Sequence, residues 1–219
     1  KSRSRGLGDV YKRQDITSVP PESMWRNTKS IDDAPDSGEE FSIEFENGDP
    51  IAVNDEKLSP AELLTKLNDI GSRNGIGRLD IVESRSTGMK SRGCYETPGG
   101  SILLKARRAI ESICMDGESI KTKDELISKY AGLIYDGLWW APERFAIQSL
   151  VDNFSKNVQG QIKILAKKGN VIILSRRSDK SLYKADLASF DEKGDFDQKD
   201  AEGYICLLYT SDAADDGVG

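Results

Sequence analysis

The chain's 219 residues carry 37 Asp and Glu against 31 Lys and Arg, a formal charge of −6, with three cysteines and no histidine. An acidic chain with scattered cations lacks the basic face that a general nucleic-acid binder turns to phosphates, and no apolar run approaches the roughly 20 residues that cross a bilayer. Without histidine, histidine-based triads and the common zinc sites are excluded within this chain. Cys94 and Cys114 have no metal-ligand spacing, which points to reduced thiols in a cytoplasmic protein.

The two ends read differently from the middle. Asp9 to Gln14 can be encoded by GAT-GTG-TAT-AAG-AGA-CAG, and the reverse complement of that DNA, read one base in, encodes Cys206 to Ser211. Such complementarity marks a translated transposase adapter from a sequencing library, so residues 1–14 and 206–219 are read as adapter-derived. The head is +4 (Lys1, Arg3, Arg5, Lys12 and Arg13 against Asp9) and the tail −3 (Asp212, Asp215 and Asp216), which leaves the interior at −7. The remaining ~190 residues suit one domain better than two.

Residues 15–38, rich in Pro, Ser, Asp and Asn without periodicity, read as a connector anchored by Trp25. Phe41 to Phe45 alternates at period two, Asn47-Gly48 turns, and Ile51 to Val53 follows: a hairpin, with Pro50 implying an edge position. Ser59-Pro60-Ala61-Glu62 supplies an N-cap, a first-turn proline and a capping box. Leu63, Leu64, Leu67 and Ile70 then share one helical face, and Gly71 is read as its end. Gly77 to Glu83 is a strand.

Three more helices are expected: from Pro98 with Ile102, Leu103, Ala106, Ala109, Ile110 and Ile113 inward; over about 122–137 with Leu126, Ile127, Tyr130, Leu133 and Ile134; and from Ala141-Pro142 with Phe145, Leu150, Val151, Phe154 and Val158. Trp139-Trp140 is read as core or subunit contact. Gln161 to Lys167 and Val171 to Arg177 form a second hairpin across Lys168-Gly169-Asn170. Tyr183 to Phe190 stays open between short helix and loop, and Asp191 to Asp200 is acidic surface. Strands, a helical block and strands again indicate α+β: mixed or antiparallel strands packed with about four helices.

Chemistry concentrates in residues 77–100. The strand delivers Glu83 into a segment rich in Gly, Ser and basic side chains, read as a loop that presents Lys90, Ser91, Arg92 and Tyr95 before Thr97-Pro98 opens a helix. Glu83 is either a strand-end carboxylate paired to Arg85 or Arg92, or an acceptor for a ligand's ammonium group. Tyr95 is either a packed residue or a ligand contact. Lys90 and Arg92 receive a carboxylate or phosphate, or hold the loop through Glu83, Glu96 or Asp80. Gly88, Gly93 and Gly99 are read as sources of backbone freedom. No Walker-type pattern occurs, and no residue is assigned to covalent catalysis or to a metal.

The stretch resembles the segment Gly-Arg-Ile-Asp-Ile-Val-Glu-Asn-Arg…Gly-Met-Lys-Ser-Arg-Gly…Tyr-Glu-Thr-Pro of argininosuccinate synthases. The likeness continues through the run from Tyr130 to Trp139, the Gly169-Asn170 hairpin, Ser181 to Tyr183 and Asp197 to Tyr204. Ser84 stands where the family usually has asparagine, so a hydrogen bond beside the pocket is expected to differ; Asn74 and Trp140 stand where histidine is common.

The resemblance implies that Glu83 and Tyr95 bind citrulline, with Lys90, Ser91 and Arg92 as support. It implies a ligase that adenylates citrulline with ATP (as substrate, with Mg2+), releases pyrophosphate, and lets the aspartate amine displace AMP to give argininosuccinate in arginine biosynthesis. It further implies a homotetramer, without nucleic-acid or membrane partners. In that family a nucleotide-binding domain with a Ser-Gly-Gly loop precedes the synthetase domain. No Ser-Gly-Gly occurs in this sequence, so 15–38 is expected to lead from that domain, 39–205 to be the synthetase domain, and this portion alone to be inactive. The alternative is a free-standing, non-enzymatic amino-acid-binding or oligomerisation module derived from it. An in-frame nucleotide-binding domain or a start codon upstream of Asp15 distinguishes the two.

Overall fold

A computed structural model describes residues 15–85 and 87–184. The chain divides after Lys180 into two units. Of the second, residues 181–184 are described; they have no regular secondary structure, and the Tyr183 N–H donates to the Ser181 hydroxyl at 3.1 Å. Both end segments, the acidic 191–200 and all but Tyr183 and Lys184 of the 183–190 stretch lie outside the described residues.

Strand β1 (Glu39–Glu46) alternates buried Phe41, Ile43 and Phe45 with polar neighbours, as a strand with one wet face must. It pairs antiparallel with β2 (Asp49–Val53) through Asn47 and Gly48, both at positive φ (50° and 86°), the turn that matches strand twist. The two-residue β3 (Glu56–Lys57) covers β2 only at Ala52 and Val53. Strand β2 is thus not outermost along its whole length, but β3 does not reach Pro50, which keeps the edge position expected from sequence.

Strands β4 (Arg78–Ser84) and β5 (Lys90–Glu96) form a separate antiparallel ribbon. The C-terminal hairpin, β6 (Gly160–Lys167) and β7 (Asn170–Arg177), turns on Lys168 and Gly169 (φ 43° and 78°) and joins the first through β1, giving the order β3-β2-β1-β6-β7. Phe41 lies opposite Ile164 and Ile43 opposite Ile162, so one face of the sheet is continuously apolar. The other carries pairs such as Lys163–Glu40 at 2.8 Å.

Helices cover the apolar face. The first, α1 (Pro60–Arg73), starts at the expected capping box: the Ser59 side chain accepts from the Glu62 N–H while Glu62 accepts from the Ser59 N–H at 3.0 Å. Leu63, Leu67 and Ile70 are buried, whereas Leu64 faces outward. Gly71 does not end the helix; it lies inside the last turn against Pro98, and Asn74 is the C-cap. Helix α2 (Pro98–Cys114) buries Ile102, Ala106, Ala109 and Ile110, and the shared core runs through β1, β6, α1 and α2. Each fully buried aliphatic side chain is worth about 1.5–3 kcal/mol against exposure. The result, among the described residues, is an α+β architecture with antiparallel sheets and four α-helices.

Helices α3 (Gly117–Tyr135) and α4 (Pro142–Ser155) lie farther out. The former begins five residues earlier than the apolar spacing indicates, because Asp116 accepts from the Ser119 N–H (2.9 Å) and caps a polar first turn. Polar contacts tie it down: Glu111 of α2, buried, accepts from Lys123 at 2.8 Å and from Arg107 at 2.6 Å. In α4, Ile147 is buried while Phe145 is 44% exposed under the Arg144 guanidinium, 4.0 Å from its ring. Trp139 and Trp140 are 47% and 79% exposed, so they are not core of this chain. Among the described residues, no helix is long and apolar enough to cross a membrane.

Candidate functional site

The segment read from sequence as a glycine-punctuated loop is a strand. Lys90–Glu96 pairs with Arg78–Ser84 from Arg78↔Glu96 to Ser84↔Lys90. At the tip, the Arg85 N–H donates to the Met89 carbonyl at 2.9 Å and the Gly88 N–H to the Arg85 carbonyl at 2.8 Å. Strand propensity depends on what a segment can pair with. Here a regular partner strand supplies the hydrogen bonds that Gly, Ser and Arg do not advertise.

Pairing sorts the candidate residues, because side chains alternate between the faces of a ribbon. Arg78, Asp80, Val82 and Ser84 share one face with Lys90, Arg92, Cys94 and Glu96. Leu79, Ile81 and Glu83 share the other with Ser91, Gly93 and Tyr95. The five residues singled out in the sequence are thus divided, with Glu83, Ser91 and Tyr95 on one face and Lys90 and Arg92 on the other.

The Arg92 face is a clasp for residues 15–28. Arg92 is 7% exposed and grips Asp80 with two nitrogens (Nε–Oδ1 2.7 Å, NH2–Oδ2 2.5 Å). Its third nitrogen donates to the carbonyls of Asp15 and Ser18, the latter at 2.9 Å. Of the two readings of Arg92, the Asp80 ion pair is therefore the one present, and the guanidinium holds the Asp80 carboxyl below its usual range. Arg78 binds both Glu22 oxygens (2.9 and 2.6 Å) and the Thr28 hydroxyl (2.8 Å), and stacks 5.1 Å from the Trp25 ring, which is the anchor expected for that tryptophan.

Glu96 accepts the N–H groups of Arg26, Asn27 and Thr28 at 2.9, 3.0 and 2.8 Å and the Thr28 hydroxyl at 2.7 Å. Burial pushes its carboxyl up, but these four donors together outweigh it and the net displacement is downward. Lys90 donates to the Ser84 hydroxyl at 2.6 Å, which places the unusual Ser84 on this face and away from Glu83.

On the open face, the Tyr95 hydroxyl donates to Glu83 Oε1 at 2.5 Å, and the ring is 42% exposed. Acceptance by the carboxylate, helped by burial and by its negative charge, raises the phenol above its ordinary value of 10.0. Neither of the pairings weighed for Glu83, with Arg85 or Arg92, is its contact here; Arg85 donates to Ser91 at 2.9 Å. Because the phenol has committed its only hydrogen, the couple offers a ligand oxygen lone pairs and one carboxylate, a surface for hydrogen-bond donors.

Gly93 lies between the two, at a position where sequence alone suggests backbone freedom. Its φ is not in the left-handed region, unlike that of Gly88 (79°), so the glycine serves another purpose. The signal available in the sequence is that Glu83, Gly93 and Tyr95 share strand parity once the two segments are paired. Lys90, bonded to Ser84, and Arg92, paired with Asp80, both lie on the face opposite Glu83.

Fold and site together define an α+β domain that displays an acceptor couple on one face of a ribbon whose other face clasps the preceding segment. A family model described as "Arginosuccinate synthase C-terminal domain" matches residues 9–211, and the chain belongs to that family. It is 55% identical over 196 residues to the argininosuccinate synthase of Alkalilimnicola ehrlichii, covering 89% of this chain and 49% of that protein. Similar matches are the argininosuccinate synthases of Campylobacter concisus (53% over 195 residues; 89% and 48%) and Nitratiruptor sp. (52% over 194 residues; 89% and 48%). The chain thus spans about half the length of the relatives it matches.

Proposed function

We propose that this chain is the citrulline-holding part of an AMP-forming carbon–nitrogen ligase that joins citrulline and aspartate. The carrying observation is the 2.5 Å hydrogen bond from Tyr95 to Glu83 on the open face of the ribbon, in a member of the argininosuccinate synthase family. A couple that only accepts suits the nitrogen-bearing ends of citrulline, its α-ammonium or its ureido N–H groups, and leaves the α-carboxylate to other residues. This narrows the sequence reading, in which Glu83 and Tyr95 together suited both the amino and the carboxylate groups. Ser91 and Arg85 border the couple, while Lys90 and Arg92 support it from the opposite face.

In the whole enzyme, ATP adenylates the ureido oxygen with release of pyrophosphate, and the aspartate amine then displaces AMP. Binding of ATP with its Mg2+ is assigned to the half of the relatives' length that this chain does not span. A cytoplasmic homotetramer remains the expected setting. Calorimetric titration of the full-length protein with citrulline tests the assignment. Glu83→Gln should weaken binding at least tenfold, since a hydrogen bond to a charged group contributes about 1.5–3 kcal/mol. Unchanged affinity would remove Glu83 from the site.

A further inference from the structure

We propose that Gly93 is the positioning residue of the Glu83–Tyr95 couple, its bare backbone being the floor on which the Tyr95 ring lies to reach Glu83. The pairs Leu79↔Tyr95, Ile81↔Gly93 and Glu83↔Ser91 follow one another along the open face. Tyr95 and Glu83 therefore start about 13 Å apart along the ribbon, four strand residues at ~3.3 Å each. Only side chains lying nearly flat along the surface close that gap, and Gly93 is directly in the path. A Cβ built at Gly93 would stand 2.4 Å from Tyr95 Cε2 and 2.7 Å from both Cζ and the hydroxyl oxygen. The ring occupies the place a side chain would take.

The three atoms nearest such a Cβ all belong to Tyr95, and no positive φ requires the glycine. Its backbone is one that any L residue adopts, and a glycine inside a strand weakens it. The obstruction that alanine would create falls on a half-exposed side chain and not on backbone. The ring is thus the part that moves: it swings off the ribbon, the hydrogen bond to Glu83 is lost, and the strand stays paired. The same glycine serves both as covered floor and as gauge, since any larger residue sets the phenol away from the carboxylate.

The ligand consequence rests on the citrulline reading; the positional claim does not. The test is a spectroscopic double-mutant cycle on the full-length protein with 13Cζ-labelled tyrosine at neutral pH, Tyr95 being assigned by its loss in Tyr95→Phe. Glu83→Gln should move the Tyr95 Cζ resonance in the wild-type background and leave it unmoved in a Gly93→Ala background, with Tm unchanged or higher in Gly93→Ala. An equal displacement in both backgrounds overturns the proposal. Should Gly93→Ala fail to fold, the wild type decides: a ring over Gly93 moves its α-proton resonance upfield, and Tyr95→Ser abolishes the shift, whereas no such shift overturns the proposal. Citrulline affinity, read in parallel, should fall about tenfold in Gly93→Ala. If Glu83→Gln binds citrulline normally, the ligand reading fails alone and the resonance cycle still judges Gly93.

Discussion

Tyr95 donates its one hydrogen to Glu83, and that fixes what each residue can do for a ligand. Glu83 brings charge, and the phenol brings a neutral acceptor and a stacking face. Tyr95→Phe keeps the face and loses the acceptor, a neutral hydrogen bond of about 1 kcal/mol. Citrulline affinity should therefore fall about fivefold, by less than in Glu83→Gln; isothermal titration of the two variants checks the order. From residue types alone, neither Glu83 nor Tyr95 was separable from a packed or ion-paired side chain. The resemblance singled them out, and the strand register shows why they meet. Lys90 and Arg92 fall with Ser91 as support of the same loop in sequence, because a sequence does not display which way a side chain points until its partner strand is known.

At the level of elements, the signals that carried through were local ones: the Asn47-Gly48 and Lys168-Gly169 turns, the Ser59 capping box, and the apolar stripe of α2. What stayed hidden depends on distant partners. Strand β5 has no apolar alternation because the face it turns to residues 15–28 carries Arg92, paired with Asp80 of β4, and Glu96. The start of α3 is polar because Asp116 and the Glu111–Lys123 contact replace apolar anchors. Gly71 is a further case. It resembles a helix stop, yet a Cβ there would stand 2.7 Å from Pro98 Cβ and 3.0 Å from the Pro98 carbonyl carbon, so it sets the spacing between α1 and the start of α2. Gly71→Ala gains about 1 kcal/mol of helix propensity but presses on backbone. Overpacking costs ~1–3 kcal/mol, and the net effect should be a lower midpoint in urea unfolding.

Across the whole chain, the 15–28 segment and the ribbon are joined by carboxylates whose folded values are depressed. Asp80 is held down by Arg92 and Glu22 by Arg78, and Glu96 lies low because burial, which raises it, is outweighed by its three backbone donors and the Thr28 hydroxyl together. A depressed carboxylate contributes stability that is present above its unfolded value, here 3.8 for Asp80 and 4.5 for the two glutamates, and that is lost as pH falls through the lower folded value. The clasp should therefore be intact at pH 6 and loosen below about pH 4, which the fluorescence of a variant keeping only Trp25 would report. At the same scale, the 15–205 segment should release no pyrophosphate from ATP and citrulline. Adenylation needs groups that stabilise charge at the α-phosphate, and the cations of this ribbon are engaged with Asp80, Glu22 and Ser84. A pyrophosphate-release assay on that segment checks it.

The clasp also gives the chain a history. Glu96 closes on Arg26 across 70 positions and Arg92 on Ser18 across 74, whereas Lys90 and Ser84, at the ribbon's tip, are 6 apart. On the ribosome, residues 15–28 are made long before the side chains that hold them, and wait while β1, β2 and α1 are synthesised. The ribbon can zip as soon as its second strand emerges, because short loops close at little entropic cost. The earlier-made of the two is thus secured only once the second strand has been made, so its order in the folded protein is a report that the ribbon is complete.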